Sequence, residues 1–314
     1  MELLRALYVN RWVRYAVTLG LLSLVVLKVH VERVGEAIGS ARPGYLVLAL
    51  GLTVPFLYLK VLRWHLILRS GGVQTSFAES SLSLLGGMGP ALVTPARLGE
   101  LFRGVFLRDG QKWKIGGLVL VDKAFDVLVL TGLSIAGAWI LLGRWAGALF
   151  LLGTLIGLAV TYEPRPLSTC LHRLSARLPM RDKLDALWSS LESLSPRATS
   201  TFIALTLAAF LVVLLQFGII LLSWRGWSPD IVFLTFPLVI LTNVLPVTIG
   251  GLGIREGAAA WLLSRYGVPT ADAALAAFLM FSINTALPGL IGALFLPAAI
   301  RGSRPRAVRS LDRP

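Results

Sequence analysis

Three charged residues follow a proline-glycine interruption in the first half of an otherwise apolar chain. Residues 93–103 read VTPARLGELFR, which spaces Arg97, Glu100 and Arg103 three residues apart. Neighbouring members of such a series meet on one face of a helix. Two guanidinium groups around one carboxylate leave positive charge, and arginine binds phosphate through paired hydrogen bonds. The pattern predicts a phosphate-binding site, and it is also compatible with ordinary ion pairs that hold a turn.

A similar interruption occurs in the second half, where residues 245–257 read LPVTIGGLGIREG. The residues that we expect to break the helices are Pro95 and Gly99 in the first interruption and Pro246, Gly250, Gly251 and Gly253 in the second. Broken backbone at membrane depth requires a covering of protein or water, and the helix N-termini beyond a break offer N–H groups to an anion. Because the adjacent Arg255 and Glu256 point in different directions on a helix, we expect Arg255 to reach a cavity or a carboxylate of the other half.

Ionisable residues inside an apolar segment form a third group of candidates. Asp122 and Asp126 share a helix face at i, i+4 spacing, with Lys123 between them. Each ionisable residue within a span costs at least about 2.5–3.5 kcal/mol, which favours a functional role. The alternative for Asp122 is a simple ion pair with Arg97 or Arg103 near the cytoplasmic end of the helix.

Other polar residues give weaker signals. Asn243 is included as a substrate-binding candidate, although Asn243 and Asn284 are of a type that more often joins packed helices. His30, His65 and His172 lack the spacing of metal ligands, and the sequence contains no phosphate-binding loop of the ATPase type. We therefore expect no metal, no cofactor and no catalytic residue.

The elements that must position these residues are apolar helices. The chain has 314 residues, 56% of them hydrophobic and 15% charged, with a mean hydropathy of +0.77. Soluble domains carry about 25% charged residues, and a membrane-crossing helix needs about 20 apolar residues. Continuous apolar runs, unlike the alternating strands of a barrel, predict an all-α integral membrane protein with about six transmembrane helices. The predicted spans are residues 13–29, 44–62, 116–141, 145–162, 200–223 and 271–299, with a kink or break at Pro288.

Two further apolar segments, residues 77–95 and 231–250, are interrupted by proline, glycine or asparagine. Paired interruptions of this kind are typical of transporter binding sites, so we expect two re-entrant helical hairpins in an inverted-repeat arrangement. The predicted units are an N-terminal transmembrane half at 1–162, a polar cytoplasmic loop at 163–199 with a surface helix near 182–194, and a C-terminal half at 200–314 with a basic tail.

The distribution of basic residues predicts the orientation. The net charge is +14, and most Lys and Arg fall in residues 1–14, 60–114, 163–199 and 301–314 when both hairpins are re-entrant. The positive-inside rule then puts both termini in the cytoplasm, in a plasma (cell inner) membrane whose anionic headgroups face the basic loops. Two full crossings in place of the hairpins would also keep the tail inside. Nucleic acid is a poor alternative partner, because the cations sit in loops between apolar spans.

Two local patterns complete the assignment of the termini and span ends. Arg5, Arg11 and Arg14 precede or enter the first apolar stretch without a small-residue cleavage site after it, which predicts an uncleaved first helix. His65, beside Arg63 and Trp64, is interpreted as part of an aromatic-basic anchor at the membrane interface.

These motifs resemble the lysylphosphatidylglycerol synthetase transmembrane-domain family, also called flippase-like domain proteins. The resemblance rests on Pro-x-Arg-Leu-Gly-Glu-x-x-Arg at 95–103, the acidic-basic pair Asp122–Lys123 with Asp126, and Pro…Gly-Gly-Leu-Gly-Ile-Arg-Glu at 246–256, and it extends over about 10–300. The family often has Glu-Arg in place of Asp122–Lys123. It also often has an arginine near residues 282–284, which this chain lacks.

The resemblance implies movement of a polar-headed lipid between leaflets, of the aminoacyl-phospholipid, glycolipid or polyprenyl-phosphate type. Arg97, Arg103 and Arg255 would bind a headgroup phosphate, and Glu100, Glu256, Asp122 and Asp126 would orient them or bind a cationic part. The expected partners are membrane lipids, with a second copy of the chain or lipid-synthesis enzymes as further possibilities. The alternatives are an intramembrane transferase acting on a lipid-linked sugar, with Asp122 or Glu100 as base, and an accessory subunit of a lipid-synthesis complex.

Overall fold

The computed structural model describes residues 42–92, 94, 97–107, 112–175, 185, 190, 194–224, 229–244 and 253–302. Throughout these residues the regular structure is helical, as the sequence predicts. Five helices in this part of the chain are long and apolar enough to cross a membrane, namely Pro43–Ser70, Trp113–Leu142, Arg144–Tyr162, Pro196–Leu222 and Thr270–Phe295. They coincide with five of the predicted spans, whereas the span predicted at 13–29 lies outside the described residues.

The described α-helices are labelled in chain order. They are α1 (Pro43–Ser70), α2 (Phe77–Ala91), α3 (Lys112–Gly137), α4 (Arg144–Tyr162), α5 (Arg165–Ser175), α6 (Pro196–Leu222), α7 (Pro229–Leu241), α8 (Ile254–Ser264), α9 (Thr270–Phe281) and α10 (Leu287–Gly302). Short 3₁₀ helices at Leu98–Phe106 and Thr242–Val244, and π-helical turns at Ala138–Leu142 and Ser282–Ala286, extend or join them.

Helix α1 is longer than predicted. It ends at Ser70 rather than near residue 62, because its last turns are apolar and bury Ile67 and Leu68 completely. Lys60 and Arg63 therefore lie inside a helix and not in a loop. They do not contribute to the positive-inside argument, which depends on the basic residues of the remaining segments.

Helix α2 and the 3₁₀ helix after it form an antiparallel hairpin. Gly99 lies so close to the end of α2 that an added Cβ would be 2.2 Å from the carbonyl carbon of Pro90, and Arg103 packs against Gly87 further along. Glycine permits this approach because it has no side chain. The chain thus folds back on itself directly after residues 77–95, the first of the two interrupted segments.

The second interrupted segment is described on both sides of its break. α7 and the 3₁₀ turn Thr242–Val244 precede the break, α8 follows it, and residues 245–252 lie outside the described part. The side chains of Asn243 and Arg255 lie 3.4 Å apart, so the two ends meet in space. α8 then packs against α9.

A kink or break was predicted at Pro288, and the structure has a π-helical turn just before this proline in a helix that continues past it. Proline lacks an N–H, and its ring clashes with the carbonyl four residues earlier, which here belongs to Asn284. The π turn Ser282–Ala286 accommodates this position while the helix continues into α10.

The two halves of the chain pack directly on one another. α1 lies along α6, and α10 lies along α2. Gly292 allows the second contact, since an added Cβ would be 1.9 Å from the carbonyl oxygen of Leu85. At the first contact the Gln216 amide donates to the carbonyl of Ala49 at 2.8 Å, and the Asn284 amide donates to Gln216 at 2.8 Å. Asn284 therefore joins packed helices, the more common role considered from the sequence.

The remaining helices are peripheral. α4 packs on α3 and leaves most of its apolar surface exposed, since only 6% of the residues in its most apolar stretch of 18 are buried. α5 occupies the first part of the predicted polar loop, while the surface helix predicted near 182–194 lies largely outside the described residues.

Candidate functional site

A cavity of about 360 Å³ lies between the two halves of the chain. Its polar wall combines predicted residues from both interruptions with residues of α1 and α3. Its polar and charged lining residues are Lys60, Arg97, Glu100, Arg103, Lys123, Asp126, Asn243, Arg255, Asn284 and Thr285. Tertiary structure therefore brings Arg97 and Arg255, which are far apart in sequence, to one enclosed volume.

The charge cluster of the first half is built around a fully buried carboxylate. Oδ1 of Asp122 accepts from Nε of Arg63 at 2.9 Å, and Oδ2 accepts from Nη1 of Arg103 at 2.8 Å. The Arg103 guanidinium also lies 5.0 Å from the ring centre of Trp64, a cation–π contact. Asp122 does not line the cavity, so its observed contacts match the alternative in which it pairs with Arg103.

Two further carboxylates connect this buried centre to the cavity. Glu100 pairs with Arg103 and accepts from Lys123 Nζ at 2.6 Å. Asp126 pairs with Arg63 at 2.8 Å and with Lys60 at 2.7 Å. The cluster thus runs from a dry interior to a wall that faces the cavity.

Sequence reasoning missed Lys60 and Arg63. Arg63 and Trp64 were interpreted as an interfacial anchor, and that interpretation is wrong because both side chains are buried and the guanidinium is held by Asp122 and Asp126. Their i, i+3 spacing in an apolar helix was the available signal. This signal was overlooked because the span that contains these residues was predicted to end at residue 62, whereas α1 continues to Ser70.

Arg97 has an unusual backbone conformation. Its φ of 57° and ψ of 31° lie in the left-handed region, which is uncommon for a residue with a side chain. Such strain persists where surrounding structure holds it, often at functional sites. Its Nε lies 3.4 Å from Oε1 of Glu100 but makes no hydrogen bond, and the side chain is 24% exposed.

The charged residues of the second half are fewer. Arg255 is 4% exposed, lies 4.4 Å from the ring centre of Phe281, and pairs with the adjacent Glu256. The expectation that adjacency would keep these two side chains apart is wrong, because the long Arg255 side chain turns back to Glu256. No carboxylate of the other half pairs with Arg255 among the described residues.

Two of the N–H groups beyond the breaks have acceptors within the chain. Gly99 donates to Oγ1 of Thr94 at 2.7 Å, and Gly253 donates to Glu256 at 2.6 Å. The expectation that helix N-termini would offer free N–H groups to an anion is therefore wrong at these two positions. Gly253 has a φ of 87°, which only glycine adopts easily. The predicted break residues Pro95, Pro246, Gly250 and Gly251 lie outside the described residues.

The surroundings of the two interruptions act differently on their charged groups. Burial alone would raise the pKa of Glu100, but the positive charges of Lys123, Arg103 and Arg97 outweigh it and hold this pKa well below its usual range. Burial lowers the pKa of Arg255, and the carboxylate of Glu256 opposes this effect only in part. The like charge of Arg97, which lines the same cavity, adds to the lowering of the pKa of Arg255.

The other wall of the cavity is apolar and reaches the outer surface. Several large apolar residues both line the cavity and are exposed, and they mark its mouth: Leu98, Leu101, Leu120, Val127 and Val244. They come from the 3₁₀ helix after α2, from α3 and from the 3₁₀ turn after α7. Because surfaces of this composition face hydrocarbon in a membrane protein, the mouth is suited to an apolar chain.

A family model described as the lysylphosphatidylglycerol synthase TM region matches residues 11–292. The chain belongs to this family. Comparison with curated proteins and with solved structures found no match. Together with the five apolar helices, family membership makes this a multi-pass membrane protein with a function related to membrane lipids.

In this member of the lysylphosphatidylglycerol synthase family, Asn284 of the last long helix lines the cavity, and its side chain is held by Gln216 and Thr53. The charged ligands of the cavity wall therefore come from α1, the 3₁₀ helix after α2, α3 and α8. No group of three or more His, Cys, Asp or Glu side chains that could hold a metal occurs among the described residues.

Proposed function

We propose that this protein is a lipid flippase or facilitator, which lets the phosphate-bearing headgroup of a lipid cross the membrane while the tail stays in the bilayer. The observation that carries the proposal is the two-sided cavity, charged on one wall and apolar at its mouth. A lipid has the same two-part chemistry. Binding sites of transporters are typically built where two interrupted halves meet.

The contacts around the cavity suggest a division of labour. Arg97, Lys123 and Arg255 line the cavity, and their guanidinium or ammonium groups are the candidates for contact with phosphate. Asp122 and Arg63 lie behind them and position the cluster without facing the cavity. Arg103 reaches the lining, but its guanidinium is already held by Glu100 and Asp122, so we assign it a positioning role.

The proposed arrangement in the membrane is an inverted repeat. The hairpin of α2 and its 3₁₀ helix would enter from the cytoplasm, and the hairpin of α7 and α8 would enter from the opposite side of a plasma membrane, with both chain termini cytoplasmic. Their ends then meet at the cavity, as Arg97 and Arg255 do. Since the sequence has no ATP-binding loop, movement would follow a lipid gradient or a coupled ion.

Transferase chemistry is the less favoured alternative. Its proposed bases, Asp122 and Glu100, are both buried and already bound by arginine or lysine. A carboxylate held in this way is a weak proton acceptor. We therefore propose no catalytic residue in this chain.

Reconstitution tests the proposed function. The purified protein is placed in vesicles with a fluorescent-tailed lipid phosphate in one leaflet, and the rate of its appearance in the other is measured. Wild-type protein should accelerate translocation, and Arg97→Ala and Arg255→Ala should slow it by about tenfold or more, since each removes charge-assisted hydrogen bonds. Arg165→Ala is the matched control, because that side chain is 85% exposed on α5. Equal rates in all four proteins would remove the site assignment.

A second test addresses the mouth. Leu120→Trp fills the opening and should slow translocation, whereas Leu155→Trp on the exposed face of α4 should not. Loss of the difference between these two variants would mean that tails do not pass between α3 and its neighbours.

A further inference from the structure

The cavity is surrounded by more positive than negative charge. The described cations at or behind its wall are Lys60, Arg63, Arg97, Arg103, Lys123 and Arg255, and the carboxylates are Glu100, Asp122, Asp126 and Glu256. Six cations against four carboxylates leave a surplus of two positive charges. Buried charge without a partner is costly, so this surplus calls for negative charge from outside the protein.

Every one of these carboxylates is already bound. Asp122 pairs with Arg63 and Arg103, Asp126 with Lys60, Arg63 and Lys123, and Glu100 with Arg97, Arg103 and Lys123. Glu256 pairs with Arg255 and accepts from the N–H of Gly253. An ammonium group that entered the cavity would therefore compete with internal cations for these carboxylates.

The arginines, by contrast, have unused donors. The buried Nε atoms of Arg97 and Arg255 have no hydrogen-bond partner among the described residues. Both residues line the cavity, and Arg255 is 96% buried, its exposed fraction being 4%. A buried donor left unpaired is destabilising, and the oxygens of a phosphate group in the cavity would supply acceptors for these donors and negative charge for both guanidinium groups.

From these three observations we infer that the cavity selects headgroups of net negative charge, with a phosphate mono- or diester and no ammonium group. This inference rests on the proposed function for its ligand class, and it narrows that class. It favours polyprenyl phosphates and acidic phospholipids, whose shared chemistry is the uncompensated phosphate. It disfavours aminoacylated phospholipids, whose ammonium group would meet a wall with surplus positive charge and carboxylates already paired with internal cations.

Binding is measured apart from transport, so that the two proposals can fail separately. The purified protein in detergent is mixed with equal amounts of phosphatidic acid, polyprenyl phosphate, phosphatidylethanolamine and lysylphosphatidylglycerol, and bound lipids are counted by native mass spectrometry. The two lipid phosphates should bind at least about tenfold better than the lipids that carry ammonium groups. The ratio of bound phosphatidic acid to bound polyprenyl phosphate shows whether the cavity prefers a lipid with diacyl tails or one with an isoprenoid tail.

Charge variants distinguish the cavity from non-specific attraction by basic loops. Arg255→Gln and Arg97→Gln should each weaken binding of phosphatidic acid by about tenfold, while Glu256→Gln, which raises the surplus to three, should strengthen it. Arg165→Gln, an exposed site on α5, should change nothing. If Arg255→Gln fails to fold in thermal unfolding, Arg97→Gln and Glu256→Gln still report on the cavity.

Tight binding of lysylphosphatidylglycerol, or lipid preferences unaffected by Arg97→Gln and Glu256→Gln, would overturn the inference even if the protein moves lipid in vesicles. Selective binding of lipid phosphates without translocation of any lipid would sink the proposed function and leave the site as an anionic-lipid receptor site.

Discussion

The charge clusters of the two halves differ in depth. In the first half, Asp122 sits between two buried arginines, and further pairs extend outward to Lys123, which is 32% exposed. In the second half, the one carboxylate that pairs with Arg255 among the described residues is the adjacent Glu256, and the Phe281 ring lies beneath the guanidinium. The buried carboxylates of the first cluster are each shared by at least two cations, whereas Glu256 pairs with Arg255 alone in the described part of the chain. We conclude that the first cluster chiefly holds structure and the second is more available to a ligand.

The largest effect is expected at the centre of the first cluster. Asp122→Asn removes the negative charge from between Arg63 and Arg103 and leaves both guanidinium groups undercompensated in a dry site. Breaking a buried ion pair in this way costs about 3–5 kcal/mol. The free energy of unfolding, measured by denaturant titration of the purified protein in detergent, should fall by this amount.

Glu256→Gln is the counterpart in the second half. Arg255 keeps hydrogen-bonding partners in the amide and in Asn243, so the loss of unfolding free energy should be clearly smaller than for Asp122→Asn. Equal losses in the two variants would contradict the assignment of structure to one cluster and ligand binding to the other.

Arg255→Gln should separate function from stability. It removes charged hydrogen bonds, each of which contributes about 1.5–3 kcal/mol, from a site whose ligand we propose to be phosphate. Vesicle assays should show translocation slowed by about tenfold or more, while the thermal unfolding midpoint changes less than for Asp122→Asn. The opposite order would place the structural cluster in the second half.

A smaller effect is expected where the first hairpin closes. Gly99→Ala places a Cβ 2.2 Å from the carbonyl carbon of Pro90 and 2.4 Å from the backbone nitrogen of Ala91, both in α2. The backbone must shift, and such overpacking costs about 1–3 kcal/mol. Because Arg97 and Glu100 flank this residue, translocation should fall together with the unfolding free energy.

The smallest effect should come from the matching glycine of the second hairpin. Gly257 lies within α8 with nothing within 4 Å of an added Cβ. Gly257→Ala should leave translocation unchanged and stabilise the helix by about 0.5–1 kcal/mol. Destabilisation would mean that the surroundings of Gly257 are packed tightly, as those of Gly99 are. The expected contrast between the two hairpins would then be wrong.

The candidate residues differ in how far sequence could find them. The i, i+3 and i+6 spacing brought Arg97, Glu100 and Arg103 together correctly, because neighbours on a helical turn are set by local geometry. Lys60 and Arg63 were missed, since their partners Asp122 and Asp126 come from a helix distant in the chain. The Arg255–Glu256 pair was missed for a local reason. Adjacent residues leave a helix backbone in different directions, but the long side chain of Arg255 rotates far enough to reach Glu256.

The sequence alone was enough to predict the helical membrane class, the five spans that lie in the described residues, and the family. This was possible because long apolar runs and local patterns of Pro, Gly, Arg and Glu can be read from residues that are close together in the chain. Tertiary structure decided which charges neutralise each other and which face the cavity. That decision depends on the packing of α1 on α3 and of the first half on the second, and contacts between distant helices have no periodicity in the sequence to reveal them.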